Sequence, residues 1–151
     1  MREKFISAAR ELGLEVDVRR LEGSTATVAD AARAVGVEPG QIAKSLVFVA
    51  DGEPVLCIAS GAHRVDLGQL CDAIDCAEAR QAAPDEVRAA TGFSVGGVAP
   101  CGHELPVVLD SALLDHDRIW VSGGDANCMF EIDPRELAER IQARIVAVGG
   151  D

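Results

Sequence analysis

Apolar residues recur at helical spacing from the start of the chain: Phe5, Ile6, Ala9 and Leu12 share one face, and Gly13 supplies a stop. Val16 and Val18 then alternate with charged residues, which predicts a strand. Thr27 is placed to cap a helix over Val28 to Val35, with Gly36 ending it. Glu38-Pro39-Gly40-Gln41-Ile42 reads as a turn. The run Ser45 to Ala50, the turn residues Asp51-Gly52-Glu53-Pro54 and the run Val55 to Ala59 form the clearest hairpin signal. Asp66 predicts a capped helix over Leu67 to Ile74, and Pro84-Asp85-Glu86 the first turn of another that ends at Thr91-Gly92. Short strands are expected at Leu105 to Leu109, Arg118 to Val121 and Met129 to Ile132. Asp133-Pro134-Arg135-Glu136 combines a cap, a proline at the first helical position and an early acid, and predicts a helix to about Ala143. Arg144 to Val148 is a candidate last strand.

Helices and strands are mixed without a sustained βαβ alternation. The expected fold is therefore α/β, with a mixed, mostly antiparallel sheet and flanking helices rather than a doubly wound Rossmann sheet. No internal repeat, low-complexity tract or linker interrupts the 151 residues, so one domain over 1–151 is expected.

Composition narrows the picture. Hydrophobic residues make up 48% and aromatics 3%, with no Tyr and one Trp, so the core has to be built from Val, Leu, Ile and Ala. No apolar run approaches the length of a membrane span, and Met1-Arg2-Glu3-Lys4-Phe5 lacks the apolar stretch of a secretory signal. Five cysteines at irregular spacing argue against a disulfide framework and for a reducing, cytoplasmic setting. Lys and Arg number 14 against 25 Asp and Glu, a net charge of -11. That balance argues against DNA or any broad nucleic-acid surface, but leaves room for a local contact with one phosphate or one terminal nucleotide.

Within this acidic chain, Lys44 heads the apolar run Lys44-Ser45-Leu46-Val47-Phe48. Either its stem packs and its head reaches water, or it is a fixed cation for a phosphate or a polarised carbonyl. Gly92-Phe93-Ser94-Val95-Gly96-Gly97-Val98-Ala99-Pro100 is either an ordinary glycine-rich turn or a loop that aims backbone N–H groups at an oxyanion. It has neither the Gly-Lys-Ser/Thr of a P-loop nor the spacing of a dinucleotide fingerprint. Ser122-Gly123-Gly124-Asp125-Ala126-Asn127 offers a hydroxyl, a carboxylate and an amide, or is a plain hairpin turn. Cys101, His103, Cys128 and His63 are possible metal ligands, but no Cys-x-x-Cys or His-Glu-x-x-His is present, so no metal or other cofactor is expected. Cys71 and Cys76 read as packing residues and His116 as a solvated turn residue.

Taken in order, Lys44 to Phe48, Gly61-Ala62-His63-Arg64-Val65-Asp66, Gly92 to Pro100 and Ser122-Gly123-Gly124 resemble the YbaK/ProX family over about Ser24 to Ile141. These are freestanding aminoacyl-tRNA deacylases related to the editing domain inserted in bacterial prolyl-tRNA synthetases. The resemblance implies a partly barrel-like central sheet. It implies hydrolysis of the ester that joins a wrong amino acid (Ala, Cys, Ser or 2-aminobutyrate) to the 3′ end of a tRNA, typically proline tRNA. The implied partners are the tRNA acceptor end and prolyl-tRNA synthetase.

By the same resemblance Lys44 matches the family's essential lysine, and Gly96 with Pro100 its Gly-x-x-x-Pro loop. Gly96 and Gly97 are then the expected oxyanion donors. Ser45, His63, Pro100, Ser122, Gly123, Gly124, Asp125 and Asn127 are the expected substrate-binding residues. Asp125-Ala126-Asn127 stands where alanine-specific members carry a histidine and cysteine-specific members carry basic residues, so the amino acid removed stays open. Two alternatives are a non-catalytic module that binds a nucleotide or aminoacyl adenylate, and a non-enzymatic partner of prolyl-tRNA synthetase.

Overall fold

A computed structural model of the chain describes residues 1–23 and 25–149. Ser24, where the family resemblance begins, lies outside the described residues. Five helices appear among them: α1 (Arg2–Glu11), α2 (Val28–Val35), α3 (Leu67–Ile74), α4 (Pro84–Thr91) and α5 (Pro134–Arg140). The strands are β1 (Arg19–Arg20), β2 (Ala43–Ala50), β3 (Glu53–Ser60), β4 (Ala79–Gln81), β5 (Val107–Asp110), β6 (Ile119–Ser122), β7 (Cys128–Ile132) and β8 (Arg144–Val146). The expected caps form: Thr27 accepts from the Asp30 N–H, Asp66 from the Gln69 N–H and Asp133 from the Arg135 N–H.

Two sheets carry the fold. The larger has the order β4-β2-β3-β5-β8, antiparallel across β4, β2 and β3 and parallel across β3, β5 and β8. The smaller, β1-β7-β6, is antiparallel. A single parallel bridge, Ile42 to Trp120, joins them. The mixed, mostly antiparallel sheet expected from the sequence is therefore present, but the described residues do not close a barrel.

Several boundaries differ from the sequence pattern. Lys44 lies inside β2, opposite Ala59, rather than at its head. The hairpin turn is only Asp51-Gly52, both at positive φ (49° and 85°), a geometry whose twist matches that of the flanking strands. Val16 and Val18 pack against the core without joining a sheet, and pairing begins only at Arg19. β4 went unforeseen because Ala79-Arg80-Gln81 has no apolar run. It is held instead by the Asp51 carboxylate, which accepts the Ala77 and Glu78 N–H groups. α5 stops at Arg140, where Gln142 takes φ 56°, and β8 ends at Val146.

Aliphatic residues fill the interior, as the composition requires. Val47, Leu56, Ile58, Leu109, Ile119 and Leu137 form one core with Phe5, Phe93 and Phe130. A second lies under α3 around Phe48, Cys57, Leu70 and Val108, and a third under α2 around Ala31, Ile42, Trp120 and Met129. Alternation along β2 thus sends Lys44, Leu46 and Phe48 to the α3 side, and Ala43, Ser45 and Val47 to the main core side.

Gly61 sets the spacing at the end of the hairpin. A Cβ there would lie 2.6 Å from the Pro39 carbonyl oxygen and 2.6 Å from Val28 Cγ1. Gly61→Ala is therefore expected to cost about 2 kcal/mol by overpacking, a fall of about 4–8 °C in the midpoint of a thermal melt.

Candidate functional site

Lys44 is half-buried, and its ammonium donates to the His63 carbonyl at 2.8 Å. Burial pulls its pKa below the ordinary lysine range; Cys57 and Asp110 oppose that shift, and the guanidinium of Arg64 adds to it. Cys57, fully buried beneath it, has its thiol pushed up to about 12 by burial and is neutral near pH 7.

The sequence patterns missed Asp110, which organises this side of the site. It is 1% exposed at the end of β5. One carboxylate oxygen accepts from the Ser60 N–H at 3.0 Å and pairs with His63 Nε2 at 2.5 Å; the other accepts from the Ala112 N–H at 3.0 Å. His63 therefore holds Lys44 by its backbone while its own ring is tied to Asp110. A lone acid closing the apolar run Val107-Val108-Leu109 was the available signal, because such a residue is rarely buried without partners.

A cleft of about 220 Å³ opens where the two sheets diverge. β4 pairs only with Phe48–Ala50, so the β2 edge around Ser45 is left uncovered. Lys44, Ser45 and Leu46 line one wall, Thr25 to Val28 and Ala31 a second, and Ser122, Cys128 and Met129 a third; Val95 and Gly96 overhang it. The Ser45 hydroxyl is buried without a hydrogen-bond partner, as a group awaiting a ligand would be. Thr25, Ala31, Cys128 and Met129 were not foreseen, because they come from a loop, a helix and a strand far apart in sequence.

The glycine loops divide into ligand-facing and structural parts. Gly96, at φ 88°, lines the cleft, and its N–H has no acceptor among the described residues. Gly97 does not offer its N–H as the sequence suggested, because that group donates to the Ser94 carbonyl at 2.9 Å. Instead it allows close packing: a Cβ at Gly97 would lie 3.0 Å from the Asp125 carbonyl carbon. Pro100 is buried behind the loop.

In the second turn only Ser122 reaches the cleft. Gly123 donates to the Cys128 carbonyl, and Gly124 packs against the backbone of Met1 and Arg2. Asp125 accepts from the Arg2 N–H at 3.0 Å and faces the Met1 ammonium at 3.5 Å, so it anchors the start of α1 rather than lining the cleft. Asn127 works one step back, its side-chain Oδ1 accepting from both the N–H and the hydroxyl of Thr25. Among the described residues no group of three or more His, Cys, Asp or Glu is arranged to hold a metal ion, and no helix is long and apolar enough to cross a membrane.

Comparison with known proteins identifies the family. A family model described as aminoacyl-tRNA editing domain matches residues 22–139. YwhH, an uncharacterised protein of Bacillus subtilis, is 38% identical over 128 residues, covering 83% of this chain and 81% of that protein. A proline–tRNA ligase of Solidesulfovibrio magneticus is 37% identical over 128 residues, which are 74% of this chain but only 22% of the ligase. The crystal structure of a candidate trans-editing enzyme for prolyl tRNA synthetase superposes with a TM-score of 0.92 at 38% identity, covering 99% of this chain and 97% of that one. The chain belongs to the aminoacyl-tRNA editing domain family.

Proposed function

We propose that this protein is a trans-acting deacylase that hydrolyses the ester between a wrongly attached small amino acid and the 3′ end of proline tRNA. The observation that carries this is that Lys44, whose ammonium is tethered to the His63 carbonyl, lines a small cleft together with Gly96, whose N–H has no acceptor among the described residues. At about 30 Å³ per water, a space of about 220 Å³ holds about seven waters, room for a small aminoacyl group and an attacking water.

An aminoacyl ester needs no enzyme nucleophile. Water adds to the carbonyl carbon, and the resulting oxyanion needs donors already in place. In this mechanism the Gly96 N–H and the Lys44 ammonium supply them. The tetrahedral intermediate then collapses, the carbon–oxygen bond to the ribose breaks, and the ribose oxygen leaves with a proton. The neighbouring ribose hydroxyl is suitably close to help orient the water. The Ser45 hydroxyl and Ser122 flank the aminoacyl group.

A second site is useful because a synthetic pocket rejects a slightly smaller amino acid by only about 1–3 kcal/mol, whereas a small hydrolytic cavity excludes the larger correct one by sterics. With a net charge of -11, the protein is proposed to grip only the acceptor end, presented free or by prolyl-tRNA synthetase. The test is a panel of proline tRNAs charged with Ala, Cys, Ser or 2-aminobutyrate. At least one ester is expected to be hydrolysed well above its rate in buffer, and a binding module without catalysis would accelerate none.

A further inference from the structure

The turn that ends α3 sets two of the five cysteines side by side. Asp75 takes a left-handed φ of 57°, and the Cys76 N–H reaches back to the Cys71 carbonyl at 3.0 Å. This closure draws a residue of the last helical turn against the second residue past the helix, a position where two apolar side chains commonly meet. Here both side chains are thiols. Ala73 and Ile74 of the same turn pack into the core under α3, whereas Cys71 and Cys76 stand outside the apolar clusters. Both are partly exposed and line an open hollow of about 750 Å³ with Asp51, Asp72 and Glu78. Cys57, Cys101 and Cys128 are buried elsewhere, and all five cysteines are free.

Desolvation, then a hydrogen bond to the Cys71 sulphur, pushes the Cys76 thiol up to about 11; the charges of Cys71 and Asp51 add to the shift. Cys76 therefore keeps its proton near pH 7, which leaves Cys71 as the attacking sulphur. Two of those causes belong to Cys71 itself. Once the Cys71 sulphur is covalently capped, its hydrogen bond and its charge are gone, and Cys76 ionises more readily.

We propose that Cys71 and Cys76 form a dithiol site that a small-molecule disulfide of the glutathione class oxidises to an intramolecular disulfide. The Cys71 thiolate attacks one sulphur of the small disulfide, its S–S bond breaks, and one thiol leaves. Cys76 then loses its proton and attacks the Cys71 sulphur, and the second thiol leaves. Two protein thiols are oxidised and one small disulfide is reduced to two thiols. The site is independent of the function proposed above, and no tRNA enters its test.

Folded wild-type protein, Cys71→Ser and Cys76→Ser are incubated with oxidised glutathione, quenched with an alkylating reagent and read by intact and peptide mass spectrometry. Wild type is expected to lose two of its five alkylatable thiols together, with a mass loss of two hydrogens and no glutathione retained. The buried Cys57, Cys101 and Cys128 are expected to stay unmodified. Cys76→Ser is expected to retain one glutathione on Cys71, because the second attacking thiol is gone. Wild type that stays fully reduced, or that retains glutathione as Cys76→Ser does, would overturn the site. Loss of the buried thiols in the same step would overturn it too, because the reaction would then run through unfolded chain. The bridge closes a short loop and is expected to raise the melting midpoint by about 4 °C over the reduced protein. A lower midpoint would show that the bridge does not fit the native turn, and would count equally against the site.

Discussion

Lys44→Met is expected to reduce deacylation by about two to three orders of magnitude, the usual effect of removing a preorganised oxyanion donor, without lowering the melting temperature. The two halves of this prediction come from the same geometry. The pKa of Lys44 is lowered in the fold, so the folded state binds that proton less well than the unfolded chain does. For a base shifted down, the ammonium costs stability at every pH below its unfolded pKa, and an uncharged side chain of similar length removes that cost. A residue kept for packing behaves in the opposite way, losing stability when replaced. The same shift sets the pH dependence: activity that needs the ammonium falls as pH rises through the lowered pKa, below the range of an ordinary lysine. Single-turnover rates and thermal melts of the two proteins, measured from neutral to alkaline pH, check both halves.

Asp110→Ala is expected to be the most damaging substitution for stability among the residues discussed, at about 3 kcal/mol, a loss of about 6–12 °C in melting temperature. It leaves the buried Ser60 N–H and the partly buried Ala112 N–H without their acceptor and frees the His63 ring. Because the His63 carbonyl holds Lys44, activity is expected to fall about tenfold in the fraction that remains folded. Asp110→Asn separates the contributions. Its single amide oxygen keeps an acceptor for one of the two N–H groups, of Ser60 or Ala112, but the charge beside His63 is gone, so the melting temperature recovers in part and by more than the rate does. Equal recovery of both would mean that Asp110 acts only as a structural acceptor.

Most of the elements were legible because they are locally signalled. α2, α3 and α4 occupy the expected residues, each set by a cap, a proline or a terminal glycine that acts within one turn. β1 and β4 were not, because two or three residues such as Arg19-Arg20 and Ala79-Arg80-Gln81 become strands only when a partner is already in place. The site divides in the same way. Lys44, Ser45, Gly96 and Ser122, singled out by ordered motifs, line one cleft in the folded chain. Asp110, Thr25 and Met129 enter through register and loop closure, which no single segment encodes. Gly97, Gly123, Gly124 and Asp125 belong to motifs but serve packing, and only the hydrogen bonds of the folded chain separate those roles from binding.

The central claim is that Lys44 and the Gly96 loop serve ester hydrolysis directed at the wrong amino acid. Its most direct test is release of amino acid from proline tRNA charged either with a small non-cognate residue or with proline itself, by wild-type protein and Lys44→Met. The account predicts rapid release of at least one small amino acid by the wild type, near-buffer release by Lys44→Met, and retention of proline by both. Wild-type protein that leaves every mischarged ester decaying at its buffer rate, or folded Lys44→Met that matches the wild type, would contradict it.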